Sequence, residues 1–121
     1  MSNDNPTFID NSGSKFWKNK KNQLHRIGGP AVEGYDGSKS WYVNDKLHRL
    51  DGPAVEWPNG HKSWYVNNKL HRLDGPAVEW PSGNNEWYKN NVRFKNKEKF
   101  FEALTEAEKE IALFSEDFLN G

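Results

Sequence analysis

Polar and apolar positions in this chain alternate over short runs, and the whole pattern returns every 23 residues. The phrase LHRLDGPAVEWPNGHKSWYVNNK, residues 47–69, has near copies beginning at Leu24 and Leu70. A fixed period of this size marks a repeat architecture in which each copy buries its apolar surface against its neighbours. Within a copy, Lys62 to Val66 (KSWYV) reads as a strand with Trp64 on one face and Tyr65 on the other. Its partner run, Leu70 to Trp80, is interrupted by Asp74-Gly75-Pro76, which predicts a kink or bulge, since proline cannot donate a ladder hydrogen bond. Asp36-Gly37 and Asn59-Gly60 predict two-residue hairpin turns with both central φ angles positive, and Ser82-Gly83 is a weaker version. A second set of turns falls at Asn44-Asp45, Asn67-Asn68 and Asn90-Asn91. Two strands per copy give a mostly β fold: a single-layer antiparallel meander of about seven strands, about 30 Å long.

The pattern changes at both ends. Residues 1–14 are polar and read as a disordered or loosely docked tail, with Phe8-Ile9 its one apolar pair. Lys15 to Gln23 looks like half a copy, with Trp17 in the place of Trp41 before a turn one residue longer. The array therefore spans residues 15–94. Beyond it, residues 95–121 read as a helical cap. Asn96 starts one helix with Phe100, Phe101 and Leu104 on its apolar face. Thr105 and Glu108 form a capping box for a second. Ala107, Ile111, Phe114 and Phe118 predict one apolar stripe there, suited to covering the last strand edge.

Composition sharpens this picture. Leu, Ile, Val and Phe make up only 24 of 121 residues, and mean hydropathy is −1.05. An ordinary two-layer core is hard to fill from that, whereas six Trp and four Tyr, spread one cluster per copy, suit a buried strip. There is no cysteine, so disulfides and thiolate metal sites are excluded. No run is long and apolar enough to span a membrane, and the expected setting is the cytoplasm. Net charge is zero but uneven: Lys15, Lys18, Lys20, Lys21 and Arg26 form a basic start, and seven acids crowd residues 98–117.

The period, the glycine-turned hairpin and the W-Y-x-N and D-G-P elements resemble the MORN repeats in their variant form. They are also similar to the HR-x-DGPA…WY-x-N repeats of uncharacterised bacteriophage and bacterial proteins. The resemblance covers residues 15–94. It departs from the usual MORN pattern at Pro30, Pro53 and Pro76 and at Arg26, Arg49 and Arg72, where a glycine-rich element is typical. It implies a scaffold or protein-binding module, and in a phage setting an inhibitor acting in the host cytoplasm.

The chemistry of the residues agrees with a binding role. His25, His48 and His71 would stand about 10 Å apart along such a ladder. A metal ion needs nitrogens at about 2.0–2.1 Å from itself, so no two of them share one, and neither a metal nor a cofactor is expected. Each copy supplies an arginine and a glutamate (Glu33, Glu56, Glu79), which predicts arginine stacked on tryptophan or paired with glutamate. A set repeated three times does not mark an active site, and no nucleophile triad, phosphate loop or carboxylate pair is present, so no enzyme activity is expected. Lys18, Lys20 and Lys21 beside Trp17 offer a small platform for nucleic acid, but the later copies lack the basic stripe such binding needs. The expected partner is a protein. The leading form is a phage-encoded inhibitor of a host defence protein, with an antitoxin-type role or nucleic-acid binding or mimicry as alternatives. The candidate contact residues are Trp41, Tyr42, Trp57, Trp64, Tyr65, Trp80, Trp87, Arg49, Arg72, His48 and His71, Trp and Arg being enriched at binding hot spots.

Overall fold

The computed structural model describes residues 4–120. Among these residues the fold is mostly β: thirteen very short strands in antiparallel pairs, followed by three short helices. The tail residues Asp4 to Asp10 are not loosely attached. Strand β1 (Phe8–Ile9) pairs with β2 (Lys15–Phe16), and the Trp17 indole donates to Asp4 O at 3.0 Å. Residues 1–3 of the predicted tail lie outside the described residues, as does Gly121 of the cap.

The first full copy supplies β3 (Val32–Glu33), β4 (Lys39–Ser40), β5 (Tyr42–Val43) and β6 (Lys46–Leu47). The second supplies β7 (Val55–Glu56), β8 (Lys62–Ser63), β9 (Tyr65–Val66) and β10 (Lys69–Leu70). The last gives β11 (Val78–Glu79), β12 (Trp87–Lys89) and β13 (Val92–Phe94). The first two predicted aromatic strands are split at Trp41 and Trp64: the half before joins a seven-stranded sheet ordered β1-β2-β3-β4-β7-β8-β11, and the half after folds into its own hairpin, β5-β6 or β9-β10. In the last copy only an isolated bridge, Glu86 to Val78, precedes the hairpin β12-β13, which contains Trp87.

Turn chemistry explains both rows. At Asn44-Asp45, Asn67-Asn68 and Asn90-Asn91 both residues are left-handed, with φ near 50° and 67°, as a two-residue turn of this hand requires. The other row differs from expectation. Only Gly37 has positive φ (93°), Asp36 does not, and the Gly34 amide donates to Ser38 O across a three-residue loop. A tight turn plus one left-handed glycine is the longer hairpin form. Gly60 repeats it, with the Trp57 amide donating to His61 O, and Gly83 repeats the positive φ.

The hairpins are fastened copy to copy at these asparagines. Asn68 donates its amide to Leu47 O and accepts at Oδ1 from the Leu47 amide, both at 2.8 Å. Asp45 with Leu24 and Asn91 with Leu70 do the same. Between the two rows sit Ala31, Ala54 and Ala77, all fully buried, each with its amide and carbonyl in ladder bonds.

The conventional core is at the C-terminal end. Helix α1 (Lys97–Glu102) is capped by Asn96, and α2 (Glu106–Leu113) by the Thr105–Glu108 box, both as expected. Phe100, Leu104, Ala112 and Phe118 gather on Trp87, with Leu73, Phe94 and Phe101 packed around them. The predicted stripe does not form. The chain turns at Phe114-Ser115 before α3 (Glu116–Asn120), leaving Ala107, Ile111 and Phe114 exposed and placing Ala112 and Phe118 inside. The cap therefore covers the side-chain face of β12 and β13. No helix among the described residues is long and apolar enough to cross a membrane.

Candidate functional site

The side chains that recur with the period build one ladder. Arg26 lies over Trp17, Arg49 over Trp41 and Arg72 over Trp64, with the guanidinium carbon 3.9–4.0 Å from each ring centroid. This is the predicted stack, and each arginine also reaches the glutamate seven residues on, at 3.6, 3.0 and 3.2 Å. Nη1 of each donates to the proline carbonyl four residues on, so the Gly-Pro kink wraps the chain around the guanidinium. Here the glycine is required by close approach: a Cβ at Gly75 would lie 2.5 Å from Arg72 Cζ.

His25, His48 and His71 are part of the same fastening. Each accepts at Nδ1, 3.1 Å from the amide of Asn44, Asn67 or Asn90 in the next hairpin. The neutral ring therefore carries its proton on Nε2. Burial pushes the His71 pKa down, against the pull of Glu108. Among the described residues, no group of three or more His, Asp or Glu side chains is placed to hold a metal ion.

The candidate contact residues thus separate. Trp87 and Arg72 are buried, the first under Phe100 and Phe118, the second in its ion-pair cage. Trp41, Tyr42, Trp64, Tyr65, Arg49, His48 and His71 are half-buried in the ladder. Tyr42 has its pKa raised by burial, helped by the nearby Asp45 carboxylate and Tyr65. Strict strand alternation would leave either the Trp41–Trp64 row or the Tyr42–Tyr65 row open, and neither is largely exposed. Of the candidate aromatics the open ones are Trp57 (50% exposed) and Trp80 (43%), which stand in register on the glycine-turn edge; Tyr35, on the turn of the first copy, is also exposed. Pro81 lies 3.8 Å from where a Gly60 Cβ would be, so these turns stack one on the next. Trp80 is held in place by His61, ring to ring at 4.2 Å, and by donating to Glu86 Oε2 at 2.6 Å. That bond is the largest cause of the lowered Glu86 pKa.

Sequence reading missed a second exposed row, Ile27 (76%) and Leu50 (80%), just after each arginine. Its signal was present as the apolar residue following every His-Arg. The third member, Leu73, is packed against the cap. Two grooves follow these positions. One, about 520 Å³, lies between Arg49–Pro53 on one side and Trp64, Val66 and His71–Asp74 on the other, with Ile111 and Asp117 of the cap on its rim. The other, about 410 Å³, has the equivalent residues one period earlier and nothing from the cap.

In comparisons with known proteins, no family model, curated protein or solved structure matches the chain. Fold and site together define a single-layer β-hairpin repeat protein with a helical cap and a ladder of arginines stacked on tryptophans.

Proposed function

We propose that this chain is a non-enzymatic protein-binding module that works in the cytoplasm, meeting its partner along the glycine-turn edge. The carrying observation is the pair Trp57 and Trp80, half-exposed and in register, with Trp80 held in place by His61 and Glu86. Large, pre-positioned aromatics lose little freedom on binding, and tryptophan is prominent among residues that dominate interface energetics. The recurrent arginines do not compete with this assignment, because their hydrogen-bonding capacity is spent largely inside the array. The phage-type likeness of the repeats favours an inhibitor of a host defence protein as the concrete form.

The test is capture of a partner from bacterial lysate on immobilised protein, followed by affinity measurement with that partner. Trp57→Ala and Trp80→Ala should each weaken binding by about 2 kcal/mol without unfolding the array. Replacing Lys18, Lys20 and Lys21 with Gln should leave it unchanged. Loss of binding in the lysine triple variant, with affinity falling steeply as salt rises, overturns the reading in favour of nucleic acid.

A further inference from the structure

The three ladder arginines are equivalent by sequence but not by what closes them. Arg26 receives Asp4 from the N-terminal segment, Nε at 3.3 Å and Nη2 at 2.9 Å. Arg72 receives Asp117 from the cap, Nη2 at 2.8 Å. In both, the outer edge of the guanidinium is covered by a carboxylate from outside the repeats. Arg49 has Asp51 on Nε and Pro53 O and Glu56 on Nη1, and no partner on Nη2 among the described residues. Its side chain is correspondingly the most open of the three, 22% against 14% and 5%.

The two grooves repeat the comparison. Shifting the lining of the larger one back by 23 residues converts Arg49–Pro53, Trp64, Val66 and His71–Asp74 into Arg26–Pro30, Trp41, Val43 and His48–Asp51, the full lining of the smaller one. What the larger groove has in addition is Ile111 and Asp117, an apolar side chain and a carboxylate from one short segment of the cap. The smaller groove has the same walls with Ile27 and Leu50 uncovered, and its charged lining is Arg26, Arg49 and Asp51, of which Arg49 Nη2 is the donor left without a partner among the described residues.

We infer that the groove at Arg49 is a docking site for an acidic–apolar segment of a partner protein, one that places a carboxylate on Arg49 Nη2 and an apolar side chain against Ile27, Val43 and Leu50. The cap shows the complementary chemistry in the neighbouring copy: the groove accepts a carboxylate and a branched aliphatic six residues apart across a helix break. This rests on the protein-binding reading, but it shares no residue with the Trp57–Trp80 edge, so either can fail alone.

The probe is a synthetic peptide of residues 110–120, EIALFSEDFLN, titrated against the full chain by fluorescence anisotropy and by amide chemical-shift mapping. The expected result is saturable binding with Kd below about 1 mM, with shifts centred on Gly28, Val43 and Arg49. A peptide carrying Asp117→Asn should bind about tenfold more weakly, the scale of one charge-assisted hydrogen bond. Protein carrying Ile27→Glu should lose binding to a similar degree. Ile27 is exposed and lines only this groove, so the variant keeps its fold. Trp57→Ala should bind the peptide normally. Four results overturn the inference. They are no saturation by about 1 mM, equal affinity for the Asn peptide, shifts centred on Leu73 and Phe100 through exchange with the protein's own cap, or dimerisation of the full chain that Ile27→Glu abolishes.

Discussion

Replacing Gly75 with alanine tests the ladder most directly. The new Cβ would lie 2.5 Å from Arg72 Cζ and 2.7 and 2.8 Å from its terminal nitrogens, below the 3.0 Å that real Cβ contacts respect. The guanidinium would have to retreat by about 0.5 Å or more, against repulsion that rises steeply at such distances. Room for this is scarce: Trp64 lies beneath it, and Asp74, Pro76 O, Glu79 and Asp117 hold its nitrogens. Each charge-assisted bond contributes about 1.5–3 kcal/mol and the stack about 0.5–2 kcal/mol. Weakening two of the bonds and tilting the stack costs about 3 kcal/mol on that scale. Alanine also restricts the unfolded chain, which returns about 0.4–1 kcal/mol because this backbone does not need positive φ. The expected net loss is about 2 kcal/mol, read as a lower urea midpoint at unchanged m-value. Gly52→Ala and Gly29→Ala should cost less, since their clashes are 2.7 and 2.8 Å and their arginines are more open. In an Arg72→Met background the clash is gone, and Gly75→Ala should be neutral or slightly stabilising. An equal loss with and without the guanidinium would refute the reasoning.

Other outcomes follow from the same structure. Phe100→Ala empties the centre of the cap core, where Phe100 is fully buried against Trp87 and Phe94, and should cost about 3–5 kcal/mol by calorimetry or urea. Asn91→Ala should cost about 1–2 kcal/mol, losing both a residue tolerant of φ 68° and the bond from the Leu70 amide. Asn91→Gly should recover the turn component alone. His71 is held neutral, with its pKa pushed below the ordinary value of 6.5 by burial. The unfolded chain thus binds its proton first, and the stability this residue contributes is present above pH about 6.5 and lost as pH falls through the folded value. His71→Gln should flatten that part of the stability–pH curve, and an unchanged slope would count against it.

The repeat, its register and its turns were legible in the sequence because they rest on local chemistry. Paired Asn and Asp at the second turns specify left-handed φ, and Asn96, Thr105 and Glu108 specify helix starts, whatever surrounds them. Stacking of Arg on Trp was also readable, since both recur with the same period. The fate of the aromatic rows was not. Strict alternation assumes an unbroken strand, but the chain changes hairpin at Trp41 and Trp64, so these two stack on the arginines while Trp57 and Trp80 are left outside. Helical periodicity misled in the same way at Phe114, where a break after Leu113 lets Phe118 fold back onto Trp87.

What the sequence determined by itself, then, is everything that repeats: equal copies give equal local conformations. Only the tertiary structure decided what breaks the equivalence. Asp4 and Asp117 are far from the arginines they close, and nothing in the local pattern around Arg26, Arg49 and Arg72 distinguishes which are covered. That is settled by how far the two non-repeating ends reach along the array, leaving the middle arginine as the one whose outer nitrogen stays open among the described residues.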